Sequence, residues 1–273
     1  MSRGRAFWGA GSVLISLYAL TPVLWMVSLS FKTPDSVTDK RFLPSEWTWD
    51  NYRAIFRTDL FTRALLNSVV VALASTVLTV LLATLVAYAI ARLDFPGKRV
   101  VLSLALAVAV FPSASLVGPL FLMERSLGIY DTWAGLVLPY MSFTLPLAIW
   151  TLSALFREVP WEMEEAALVD GATPMQAWRR VVVPLTLPGV LTGAILVFLV
   201  AWNDFLFALS LTASGRARTV PAALAYFPGA TEFQQPVGNI AAAAVVVTLP
   251  VVLVVLVFQR RIVAGLTVAA VRG

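Results

Sequence analysis

The stretch Ala64 to Ala91, ALLNSVVVALASTVLTVLLATLVAYAIA, runs for 28 residues without one charged side chain. A helix needs about 20 apolar residues to cross a hydrocarbon core roughly 30 Å thick, so this stretch predicts a membrane span and not a buried core helix. Five further charge-free runs are long enough to do the same: Ala6 to Phe31, Val100 to Met123, Thr132 to Phe156, Val181 to Asn203 and Phe233 to Gln259. Across all 273 residues, 59% are apolar and 13% charged, about half the charged fraction of a soluble domain. The expectation is an all-α integral membrane protein, one transmembrane domain over residues 1–273. Its six transmembrane helices fall at about 7–31, 64–91, 100–123, 132–156, 184–211 and 239–258.

The same count excludes whole classes of chemistry. With no His and no Cys, the chain cannot build a Ser-His-Asp triad, a Cys nucleophile, a Cys/His metal site or a disulfide framework. Its net charge of +5 is spread over short loops between the runs, so it reads as membrane orientation and not as a nucleic-acid surface. Ser2-Arg3-Gly4-Arg5 opens a stretch too long for a signal-peptide core, with no small-x-small cleavage site before Lys32, so that stretch counts as the first span. Lys98-Arg99, Arg179-Arg180 and Arg260-Arg261 lie directly at span ends, where the positive-inside bias weighs most, and both termini are expected in the cytoplasm. Prolines recur inside the runs at Pro22, Pro112, Pro119, Pro139, Pro146, Pro188 and Pro250. They are either the ordinary prolines of transmembrane helices or kinks that line a pathway or hinge.

One polar segment stands apart. Pro160 to Pro184, PWEMEEAALVDGATPMQAWRRVVVP, is too polar to span and reads as two short helices. Pro160 suits a helix start, and Glu162, Glu164 and Glu165 favour the positive end of the helix dipole. Gly171 sits where a left-handed residue ends a helix. Thr173-Pro174-Met175-Gln176 then has the form of a capping box that opens a second helix. Met163, Ala166, Ala167, Met175 and Trp178 need a covering surface: lipid headgroups, this chain's own helix ends, or another protein.

Here the sequence resembles a known family. Glu165-Ala166-Ala167, three residues, Gly171, nine residues and Val181-Val182-Val183-Pro184 match the EAA loop of ABC importer permeases, with valines in place of the usual Ile and Leu. The resemblance implies that the loop over 157–183, between spans four and five, is a cytoplasmic coupling helix. Glu165, Ala166, Ala167, Asp170, Gly171 and Trp178 would then face an ATPase subunit. The competing reading is an amphipathic helix lying on the membrane.

The resemblance covers nearly the whole chain and narrows to carbohydrate permeases of the maltose-type second-permease group. It is carried by Asn67-Ser68, Arg92-Leu-Asp-Phe-Pro-Gly-Lys98, Asp131-Thr-Trp-Ala-Gly-Leu-Val-Leu-Pro-Tyr140, Trp202-Asn203-Asp204 and Gln259-Arg-Arg-Ile-Val-Ala-Gly-Leu-Thr267. Tyr52-Arg-Ala-Ile-Phe56 and Thr151-Leu-Ser-Ala-Leu-Phe-Arg157 look most similar to the permeases of mycobacterial trehalose importers. What this implies is a permease domain of an ATP-driven importer in the cell (inner) membrane, carrying a disaccharide such as trehalose by alternating access. Its partners would be a second permease, two ATPase subunits that hold ATP and Mg, and an extracytoplasmic sugar-binding protein facing the loop over 212–238. No cofactor and no nucleic acid is expected on this chain, and its remaining surface contacts membrane lipid.

The chain has no Gly-x-x-x-x-Gly-Lys-Ser/Thr phosphate loop, so it is not expected to be an enzyme. An ion-coupled secondary transporter is the alternative, but it should carry ionisable residues in mid-span; five of the six runs have none there, and only Asp204 comes into question. A membrane enzyme would need convergent carboxylates at membrane depth. Asp204 does lie near a span end, with Trp202 and Asn203. Either this is an interfacial Asp beside a Trp anchor, or Asn203 and Asp204 face a sugar path or outer gate, with Asn67 assigned to the same path by the resemblance.

Overall fold

The apolar runs fold as helices because helices satisfy every backbone polar group internally. The computed structural model describes residues 3–57, 59–227 and 237–270, and side chains over 8–57, 59–227 and 237–258. In chain order the helices are α1 (Arg3–Ser30), α2 (Asp50–Arg57), α3 (Asp59–Arg92), α4 (Lys98–Val110), α5 (Ser113–Leu127) and α6 (Trp133–Arg157). There follow α7 (Trp161–Val169), α8 (Pro174–Ala177), a π-helical turn (Trp178–Val182), α9 (Val183–Asn203), α10 (Leu206–Ser210), α11 (Val220–Leu224) and α12 (Val237–Ala270). Among the described residues the only strand-like pairing is a single bridge between Lys32 and Trp47.

Among the described residues, five stretches are long and apolar enough to cross a membrane: Trp8–Ser30, Asp59–Arg92, Trp133–Arg157, Pro174–Ser210 and Val237–Phe258. The run expected as one span over 100–123 is instead α4 and α5, bent by 97°. The cause is local. Phe111, the residue before Pro112, is held extended at φ −67°, ψ 135°, and Pro112 is extended as well at φ −63°, ψ 112°. A residue that precedes proline is pushed out of the helical region, and proline itself donates no hydrogen bond. The pair counts as a sixth span only when taken together. The loop expected over 212–238 is described as far as residue 227, and 228–236 lie outside the described residues, as do Arg272 and the side chains of Arg3, Arg5, Arg260 and Arg261.

The chain divides into two compact units, residues 1–63 with 223–251, and 64–222 with 252–273. In the first, Phe31 meets Trp47, Trp49 and Tyr52 in an aromatic cluster, with ring centroids 4.9 to 5.5 Å apart. Lys32 is fully buried, its Nζ 2.6 Å from the Asp39 carboxylate and 2.7 Å from the Arg41 carbonyl. In the second unit, Ala83, Ala87 and Ile90 of α3 pack with Ile149, Leu152 and Phe156 of α6 and with Val182, Val190 and Val197. Small residues on α3 let the backbones approach closely, which is how helices associate where lipid supplies no hydrophobic drive. A buried hydrogen bond of 3.1 Å between Thr79 and Thr144 ties α3 to α6.

Candidate functional site

Between α6 and α9, the polar segment folds as its local chemistry dictates. α7 ends in a Schellman motif: Gly171 adopts φ +86°, its amide donates to the Leu168 carbonyl at 3.0 Å, and the Ala172 amide donates to the Ala167 carbonyl at 3.0 Å. Only glycine takes that φ without strain. The capping box is present at Thr173: its hydroxyl accepts from the Gln176 amide at 3.3 Å, and its own amide donates to Gln176 Oε1 at 2.9 Å. α8 does not end at Pro184 as its own short helix. The wider π turn over Trp178–Val182 carries it on into α9, which accommodates a proline that cannot donate a hydrogen bond and whose ring would crowd the preceding turn.

Of the predicted coupling residues, Glu165, Ala166, Asp170 and Gly171 are exposed, while Ala167 and Trp178 are half-buried. Glu164, expected only as one of three acids at the helix start and not among the coupling residues, has a side chain only 2% exposed. Its Oε2 lies 3.0 Å from Arg92 Nε, and its Oε1 accepts a hydrogen bond from the Tyr88 hydroxyl. Arg92 Nη2 also donates to the Val159 carbonyl at 2.8 Å, and its guanidinium stacks over Trp161 at 5.3 Å. The last turns of α3 thus grip α7 through one buried carboxylate. The visible signal was Tyr88 and Arg92 themselves, two polar groups four residues apart at the end of an apolar helix.

Asn67, Asn203 and Asp204, expected on the path or gate, each hydrogen-bond within the chain. Asn67 Nδ2 donates to the Gly215 carbonyl at 3.2 Å and the Arg218 carbonyl at 3.0 Å, and its Oδ1 accepts from Trp133 Nε1 at 2.8 Å. Beside it, Ser68 Oγ accepts from the Val220 amide at 2.8 Å. Asp131 holds the same loop: its carboxylate accepts from the amides of Ala213 and Ser214 at 3.0 and 3.1 Å and from the Ser214 hydroxyl at 2.5 Å. Burial pushes the Asp131 carboxyl up, but these hydrogen bonds, with the nearby Arg216 charge, hold it below its ordinary value. Asp204 caps α10, accepting from the Phe207 and Ala208 amides at 3.1 Å each. Asn203 is exposed and donates to Leu199 within its own helix at 2.8 Å, while Trp202 is buried and stacks on Phe198.

The described residues thus form long apolar helices, interrupted between α6 and α9 by a capped polar hairpin. The family described as the binding-protein-dependent transport system inner membrane component matches residues 79–268, and the chain belongs to it. It is 56% identical to the trehalose transport system permease protein SugB of Mycobacterium tuberculosis, over 100% of this chain and 99% of that one. The trehalose/maltose transport system permease protein MalG of Thermococcus litoralis is 37% identical, over 96% and 95% of the two chains. Among solved structures, a bacterial ABC transporter involved in the import of the acidic polysaccharide alginate matches with a TM-score of 0.81 at 25% identity, covering 95% of this chain and 98% of that one. The resemblance to carbohydrate ABC importer permeases read from the sequence is borne out by these comparisons.

Proposed function

We propose that the chain is the permease subunit of an ATP-driven importer for a disaccharide, with trehalose the leading substrate. In this reading it forms one permease domain with six spans, α4 and α5 making up the third, and both termini are cytoplasmic. α7 and α8 form the coupling helix pair that docks on an ATPase subunit. The observation that carries the reading is that α7 is anchored from within by Glu164 while Glu162, Met163, Glu165, Ala166 and Val169 stay exposed on the same short helix. A helix fixed to its own bundle on one side and bare on the other is suited to transmit force from a partner.

Alternating access then needs a two-state bundle whose equilibrium the ATPase contact biases. A second permease fits the exposure of two helices: 6% of the apolar window of α1 and 17% of that of α12 are buried, so both present surface for lipid or another subunit. An extracytoplasmic binding protein is supported by the family's own description, and ATP and Mg belong to the ATPase subunits. Trehalose is favoured by the end-to-end identity with a permease named for it.

Uptake of a panel of labelled disaccharides by cells with and without this chain tests the reading, with trehalose uptake expected to be lost on deletion and restored by the gene. Trehalose uptake unchanged on deletion would refute the substrate. Orientation is tested by Ala172→Cys, a unique thiol in a cysteine-free chain. It should resist impermeant reagents applied outside intact cells, and labelling from outside would reverse the topology.

A further inference from the structure

We propose that α3 is the rod that carries coupling-helix movement to the opposite end of the bundle, with Arg92 and Tyr88 as the positioning residues that join it to α7. This rests on the coupling reading above. By covalent connection alone, α7 is tied to α6 through Glu158-Val159-Pro160 and to α8 through the Gly171 turn. Neither link reaches α3. The Glu164 carboxylate supplies that third link, with Arg92 on one oxygen and Tyr88 on the other.

The geometry makes the link stiff. Arg92 and Glu164 have side chains 6% and 2% exposed, so solvent and salt screen their attraction little. Arg92 is held three ways, by Glu164, by the Val159 carbonyl and by the Trp161 ring. Tyr88 and Arg92 lie one turn apart on the same face of α3, so the carboxylate meets an ion pair at Arg92 Nε that lacks hydrogen-bond geometry and a hydrogen bond from Tyr88, and a slide by one turn would break both. The exposed acids Glu162 and Glu165 have no such hold.

α3 continues unbroken from Asp59 to Arg92 and contains no proline. Twenty-five residues before Arg92, about 37 Å away along the axis, Asn67 and Ser68 grip the loop at Gly215, Arg218 and Val220. One rigid helix therefore has a buried polar clamp at each end, one on the coupling helix and one on the loop between α10 and α11. A rigid element clamped at both ends transmits displacement where a chain of loose contacts would dissipate it.

The test uses the assembled importer in proteoliposomes, with ATPase subunits, second permease and binding protein. Sugar moved per ATP hydrolysed, and the stimulation of ATPase by loaded binding protein, are measured for Arg92→Gln, Glu164→Gln and Tyr88→Phe, with Gly171→Val run in parallel. Both ratios should fall about tenfold in Arg92→Gln and Glu164→Gln, and less in Tyr88→Phe, while the ATPase still co-purifies. In the double variant Arg92→Cys with Glu164→Cys, a short bifunctional thiol reagent should restore sugar moved per ATP, since it replaces the ion pair with a tether.

Wild-type ratios in Arg92→Gln and Glu164→Gln together with loss in Gly171→Val would overturn the rod and leave the coupling reading standing. Wild-type ratios in all of them would overturn both. A loss that tracks release of the ATPase and is not restored by the tether would show Glu164 to serve the docking surface alone, which also overturns the proposal.

Discussion

Gly171→Val isolates backbone strain from contact. At φ +86° an L-residue carries the left-handed penalty of about 1–2 kcal/mol, and a β-branched residue fares worst there. Nothing lies within 4 Å of a Cβ added at Gly171, so the Cβ itself meets no neighbour and the cost it brings is conformational. A penalty of that size shifts the balance between the closed Schellman turn and an opened one by a factor of about 5–30, turning α7 away from the line set by Glu164 and the Thr173 cap. Asn tolerates the left-handed region far better than Val. Transport and binding-protein-stimulated ATPase in the reconstituted importer should therefore fall in the order Gly, Asn, Ala, Val, with Asn close to wild type. If Gly171→Asn were as damaging as Gly171→Val, the damage would come from a side chain at the docking surface and the backbone argument would be wrong.

Three further outcomes follow from the second unit. Asn67→Leu leaves two part-buried carbonyls and the Trp133 indole N–H without their partner, which should cost about 1–3 kcal/mol and show as a lower Tm of the purified complex, with Asn67→Asp at least as damaging because a carboxylate cannot donate to either carbonyl; no change in Tm would deny the clamp. Asp131→Asn should weaken the same loop. The Asp131 carboxyl is lowered on folding, so its contribution is present above the unfolded carboxylate pKa of about 3.9 and is lost as pH falls through the folded value. Wild type and variant should therefore differ in Tm by a constant amount from neutral pH down to about pH 4, and the difference should shrink as the pH falls further through the folded value; a difference that began to shrink well above pH 4, or that stayed constant throughout the acid range in which the complex remains folded, would refute the assignment. Gly135→Ala would place a Cβ 2.6 Å from the Ile129 carbonyl and 2.8 Å from Glu124 Oε2, an overpacking of about 1–3 kcal/mol, and unchanged thermal stability would contradict that close approach.

What could be read ahead of the structure was what short-range chemistry decides. The long helices followed from unbroken apolar runs, and the Gly171 turn and the Thr173–Gln176 box each depend on residues within six positions of one another. Glu164 and Glu165 are indistinguishable by such rules, because which of them is buried depends on Arg92, 72 positions earlier. Pro112 was visible, but a proline inside a span predicts a kink as readily as the 97° corner found here. For Asn67 and Asp204 the sequence left a path role open, with an interfacial anchor as the alternative for Asp204, because position at a span end does not reveal a side chain's partners. Their hydrogen-bond partners, at Gly215, Arg218, Trp133, Phe207 and Ala208, give them structural work that composition does not reveal.

The central claim, a disaccharide permease driven through its cytoplasmic hairpin by ATP, is tested most directly in proteoliposomes that contain this chain with its second permease, ATPase subunits and binding protein. Labelled trehalose uptake should require ATP on the side of the hairpin, persist when proton and sodium gradients are collapsed by ionophores, and stop when the ATPase subunits are left out. Uptake that survives without the ATPase subunits and collapses with the ion gradients would contradict the account and make the chain an ion-coupled transporter.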